Sequence, residues 1–84
     1  MAYPRFDLYP AKAQALARFS RTLGHPERLH IIEMLNQYEE LTVSDLVNLS
    51  PLALPTVSQH LIILRREQLI NIREQVPYLW NSLN

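Results

Sequence analysis

Three features of this 84-residue chain predict an α+β, mainly helical domain. Apolar side chains recur at helical spacing in four segments, each bounded by proline, glycine or a capping residue. Beyond Leu69 the pattern changes to the alternation of a strand pair. The length suffices for one core and leaves no room for a second. The expected order is four helices followed by two strands, α-α-α-α-β-β.

Residues 1–9 read as an apolar arm, with Tyr3, Phe6, Leu8 and Tyr9 set around Pro4 and ahead of Pro10. Such an arm is too apolar for a tail and is expected to pack on something. Residues 10–84 form the single domain. Pro10 stands where the first helix begins, and Ala11–Phe19 has high helix propensity. Leu16, Phe19 and Leu23 fall on one face, with Ala13 and Ser20 beside them. Gly24, the one glycine of the chain, reads as the stop.

Pro26 opens a second helix, Pro26 to Tyr38, with Glu27 complementing its N-terminal dipole. Ile31, Ile32 and Leu35 are its apolar stripe. Arg28 projects into that stripe. Its stem is expected to cover core surface while the guanidinium meets a carboxylate or free carbonyls; the rival reading is contact with a ligand phosphate.

Thr42-Val43-Ser44-Asp45 forms a capping-box variant, with Thr42 as N-cap and Asp45 in place of Glu, opening a helix of about two turns. Pro51 breaks what precedes it. From Leu54 the period is helical again, and Val57, Leu61 and Leu64 make the inward face. In residues 69–83, Ile70 and Ile72 alternate before Arg73, and Tyr78 and Trp80 alternate after Pro77. No glycine or asparagine joins these two runs, so a wide or irregular loop is expected rather than a tight turn.

Composition narrows the function. With 48% hydrophobic and 19% charged residues the chain is globular. Without cysteine it has no disulfide and no thiolate metal ligand. A single glycine leaves no phosphate-cradling loop, and none of Ser20, Ser44, Ser50, Ser58 and Ser82 sits in a nucleophile elbow. No enzyme and no cofactor is expected. His25, His30 and His60 share no i, i+4 spacing, so they read as a helix cap, a solvated side chain and a packed one, and no metal site is expected. No apolar run approaches the roughly 20 residues that cross a bilayer. The first residues lack a signal-peptide layout, so the expected location is cytoplasmic. Eight basic and eight acidic side chains cancel, so net charge argues neither for nucleic acid nor against it.

The segment of about residues 43–67, a short helix, a brief turn and a longer helix, has the helix-turn-helix form, and the hairpin at about 69–83 follows it. Gln59 and Arg66 lie nearest the outward pole of the longer helix, flanked by Pro55, Thr56, Ser58, Ile62 and Ile63. Short hydroxyl and amide side chains near a helix start suit base edges in the major groove, and a glutamine can pair twice with adenine. On periodicity alone, a merely solvated face accounts for the pattern equally well.

Leu23-Gly24-His25-Pro26-Glu27-Arg28-Leu29, Ser44-Asp45-Leu46 and Leu54-Pro55-Thr56-Val57-Ser58-Gln59-His60-Leu61 resemble the ArsR/SmtB family of bacterial repressors, in register from about Leu23 to Leu83. The resemblance implies a winged helix-turn-helix, a homodimer, and repression by operator binding. It makes Leu54 to Glu67 the recognition helix and Arg73 to Pro77 the wing tip. Departures are equally visible. Thr42-Val43-Ser44 stands where family metal sensors often carry Cys-Val-Cys, so soft-metal affinity is not expected. Ala53 replaces the usual capping serine, at a cost of about 0.5–2 kcal/mol. Leu54 replaces a polar residue, Ile62 a basic one, and Val76 the wing glycine. After the second strand this sequence offers none of the C-terminal helix that many relatives use in dimerisation, so dimerisation is expected to rely on the N-terminal segment.

The expected function is therefore a sequence-specific regulator that binds double-stranded DNA as a homodimer on a palindromic operator, without metal sensing. Thr56, Ser58 and Gln59 are the expected base or phosphate contacts, and Arg65, Arg66 and Arg73 the phosphate anchors. Tyr3, Phe6, Leu8, Tyr9 and Leu16 are the expected dimer interface. The competing class is a protein-interaction module whose recognition face has become apolar, as Leu54, Ile62 and Ile63 would suggest. An unidentified effector or protein partner stays open.

Overall fold

The computed structural model describes residues 8–84. Tyr3 and Phe6, most of the expected arm, lie outside the described residues. Seven elements follow in order: α1 (Ala11–Thr22), α2 (Pro26–Tyr38), β1 (Glu40–Thr42), α3 (Val43–Asn48), α4 (Leu54–Arg66), β2 (Ile70–Gln75) and β3 (Tyr78–Leu83). The expected six-element order is corrected by β1. This three-residue strand pairs antiparallel with β3, so the sheet runs β1-β3-β2 and the second wing strand becomes the centre of a three-stranded sheet.

Local signals set the helices. Pro26 occupies the first turn of α2, and the His25 ring accepts a hydrogen bond from the Glu27 amide as its cap. The capping box of α3 is complete: the Asp45 amide donates to Thr42 Oγ1 and the Thr42 amide to Asp45 Oδ2, at 3.1 and 3.0 Å. Ala53 gives α4 no side-chain cap. That helix ends in a Schellman motif, with the Leu69 amide on the Leu64 carbonyl and the Gln68 amide on that of Arg65. Gln68 holds the left-handed position of the motif, φ 62°, which glycine usually fills.

Gly24 does follow the end of α1, but by another mechanism than a left-handed cap, since its φ is not positive. A Cβ there would stand 3.3 and 3.4 Å from the carbonyl oxygens of Arg21 and Ser20, so the chain passes too close to the helix end for a larger residue to fit comfortably.

The core joins α2 (Ile31, Leu35), β1 (Leu41), α3 (Leu46), α4 (Val57, Leu61, Leu64) and β2 (Ile70). The α4 stripe is buried as expected. Helix α1 contributes no apolar side chain to this core: Leu16 is 63% and Phe19 47% exposed. The wing connection differs from expectation. Its strands are joined by only two residues, Val76-Pro77, through a cis peptide bond, and Gln75 pairs with Tyr78. The two-residue turn thus closes without glycine or asparagine, the residues whose absence had pointed to a wide loop. Tyr78 and Trp80 stand on the outer face of the sheet, while Asn81, fully buried, faces the core and donates from Nδ2 to the Leu41 carbonyl at 3.1 Å.

Candidate nucleic-acid interface

The turn between α3 and α4 is held from below by α2. Ser50 Oγ donates to the buried Glu27 carboxylate, 2.9 and 2.8 Å from its two oxygens, and accepts from the Leu52 amide at 3.0 Å. The His30 ring is hydrogen-bonded through Nε2 to the Leu49 carbonyl at 2.7 Å. Sequence reasoning gave Glu27 only a dipole role and His30 only solvent. Both instead fix the turn that aims α4, and the absence of regular period at Leu49–Ala53 carried no signal of it.

On α4, Thr56 and Gln59 are exposed and Ser58 is half-buried. Ser58 and Arg65 line a groove of about 160 Å³ against the wing, opposite Ile72 and Leu79. Leu54 and Ile62, 52% and 57% exposed, leave apolar surface on the same helix. Arg66 does not share the wing side. It lines a cleft with Arg18, Arg21 and Arg28, about 15 Å along α4 from Thr56 at 1.5 Å per residue. Arg73 lies on the outer sheet face and is already engaged: Nη2 pairs with Glu40 at 2.8 Å, Nη1 donates to Gln75 at 2.8 Å, and the guanidinium stands 5.9 Å from the Trp80 ring centre. The structure thus brings Ser58 and Arg65 together beside the wing, leaves Thr56 and Gln59 exposed on other faces of α4, and sends Arg66 and Arg73 to separate surfaces.

On the inner side of α4, His60 is buried where the helix meets α2. Arg28 Nε donates to its Nδ1 at 3.2 Å, and Arg28 Nη1 to the Thr22 carbonyl at 3.1 Å. The guanidinium thus meets a free carbonyl, one of the expected contacts. The rings of His60 and His25 approach to 4.2 Å. Burial, then His25 and Arg28, lower the His60 pKa, with Glu27 opposing. Because Arg28 can only donate, the neutral imidazole carries its proton on Nε2. Among the described residues no three histidine, aspartate or glutamate side chains converge as a metal site would require. Among them, too, no helix is long and apolar enough to cross a membrane.

A trihelical core, a pinned turn, a polar-headed second helix and a hairpin wing define a winged helix-turn-helix DNA-binding regulator, a class without catalytic machinery. The model of the bacterial regulatory protein arsR family matches residues 25–71, more than half of the chain, and the protein belongs to that family. Solved structures agree. HlyU from Vibrio cholerae superposes with a TM-score of 0.84 at 28% identity, over 90% of this chain and 82% of that one. NolR from Sinorhizobium fredii gives 0.82 at 27%, over 100% and 82%. A homodimeric winged helix-turn-helix DNA-binding domain from Mycobacterium bovis gives 0.78 at 25%, over 99% and 75%. Among curated protein sequences none matches.

Proposed function

We propose that this DNA-binding regulator represses transcription as a homodimer, placing α4 in the major groove of a palindromic operator. One observation carries the reading: the polar N-terminal face of α4 is left uncovered while the turn before it is pinned by Ser50, Glu27 and His30. A polar face held rigidly toward solvent suits base readout. Thr56, Ser58 and Gln59 meet base edges or phosphates, and Arg65 anchors the backbone beside the wing. Arg73 joins it, since an exposed ion pair is worth only about 0–1 kcal/mol and a phosphate competes readily with Glu40. In a two-fold dimer the two helices sit about 34–36 Å apart and require half-sites one turn apart.

The dimer forms through α1 and the segment before it. Leu8, Tyr9, Leu16 and Phe19 are exposed there, and the homodimeric Mycobacterium bovis domain shares this fold. No metal serves as inducer in this reading, since thiolates are lacking and His25, His30 and His60 are used as cap, turn tie and Arg28 acceptor.

The test is selection of bound DNA from a random pool, followed by Gln59→Ala. Loss of about 1–3 kcal/mol and relaxed preference at one base pair are expected. A second reading, a protein-interaction module, is favoured by exposed Leu54 and Ile62 and by the engagement of Arg73. It predicts almost no salt dependence on mixed DNA, whereas each phosphate contact of a DNA binder adds about 0.9 to the slope.

A further inference from the structure

Half of the chain's eight lysine and arginine side chains, Arg18, Arg21, Arg28 and Arg66, line one cleft of about 270 Å³ where α1 meets α2 and α4. A protein of zero formal net charge has concentrated its positive charge in one place, and Glu67 is the one carboxylate in the lining. The half-buried Arg28 hydrogen-bonds only neutral acceptors among the described residues, the His60 ring and the Thr22 carbonyl. Among the described residues neither Arg28 nor Arg66 has a carboxylate within ion-pair reach. Arg18 and Arg21, each engaged elsewhere as well, add two more charges. Holding a guanidinium partly out of water without a counter-charge is unfavourable unless an anion supplies one.

We propose that this cleft is a binding site for a small phosphate-bearing anion. Guanidinium forks match phosphate oxygens in pairs, and arginines that line one cleft from three helices suit a group with several oxygens, such as a diphosphate, better than a single carboxylate. The cleft lies toward the C-terminal end of α4, with Arg66 about 10 Å along the helix from Gln59 at 1.5 Å per residue, so the ligand and the operator need not compete. Arg66 and Ile63 belong to α4, and Arg28 touches His60, the neighbour of Gln59, so the bound anion would meet the reading helix directly.

The test is calorimetric titration of the full chain with pyrophosphate and, separately, orthophosphate, against sodium chloride of matched ionic strength and without DNA. A saturable pyrophosphate site is expected, with orthophosphate weaker. The exposed Arg66→Gln should weaken it about ten-fold and Arg21→Gln about five-fold, as loss of one charge-assisted fork implies. Lys12→Gln, exposed on α1 and outside the cleft lining, should change nothing. A response that never saturates, or that Lys12→Gln reduces as much as Arg66→Gln, overturns the site in favour of diffuse charge. Absent pyrophosphate binding, together with an Arg66→Gln variant whose DNA salt slope falls by about one, also overturns it and gives the cleft to the DNA backbone. Because the titration contains no DNA, its outcome is independent of the operator reading.

Discussion

Ser50→Ala should be among the most damaging single-atom deletions in this domain, although Ser50 belongs to no helix or strand. The change removes the hydroxyl that donates to the Glu27 carboxylate and accepts from the Leu52 amide. Glu27 is only 5% exposed, so water cannot simply replace the lost donor. A hydrogen bond to a charged group contributes about 1.5–3 kcal/mol, and the Leu52 amide adds about 0.5–1.5 less whatever water returns. The expected cost is about 2–4 kcal/mol, a large share of the stability of a small domain. In thermal unfolding that is a fall of at least roughly 10 °C for a chain of this size. Urea unfolding followed by circular dichroism, at one protein concentration so that dimerisation does not shift the midpoint, measures the cost directly. A double-mutant cycle with Glu27→Gln should show coupling of about 1 kcal/mol or more, because the neutral amide no longer demands the donor. A cost below about 0.5 kcal/mol, or strictly additive losses, would refute the claim that this pair holds the turn.

His60 makes stability pH-dependent with a definite sign. Its folded pKa is lowered, so below the ordinary value of 6.5 the unfolded chain binds a proton that the folded one resists. Stability present above pH 6.5 should fall as the pH drops through the lowered value, and His60→Gln should flatten that slope in a series of unfolding curves. Gln68→Gly should stabilise by about 0.5–1 kcal/mol, since it relieves a left-handed side chain while keeping the Schellman bonds; a destabilised variant in the same assay would contradict the strain argument. Deleting residues 1–9 should convert dimer to monomer or provoke aggregation in sedimentation velocity; an unaltered dimer would place the interface elsewhere.

Local grammar determined much of this protein in advance. Pro26 with its cap at His25, the Thr42–Asp45 box and the Val57, Leu61, Leu64 stripe act within a few residues, so periodicity and capping located α2, α3 and the inward face of α4. The order of those elements, with the motif from Pro55 to Leu61, was enough to indicate the family.

The rest depended on partners far along the chain. Strand β1 is three residues long, with no alternation to detect, and exists because Glu40 meets Ser82 and Thr42 meets Trp80 across the sheet. That pairing carries Glu40 to Arg73, so an arginine that reads as a free phosphate anchor in sequence is tied in the fold. Asn81 occupies an inward position that alternation alone would assign to an apolar residue, and donates to a carbonyl 40 residues away. Glu27 is buried against Ser50, and Arg66 is turned toward Arg28 and the end of α1. Each of these is a polar group whose environment comes from another element. Sequence periodicity reports which way a side chain points; only the packing of distant segments decides what it meets there.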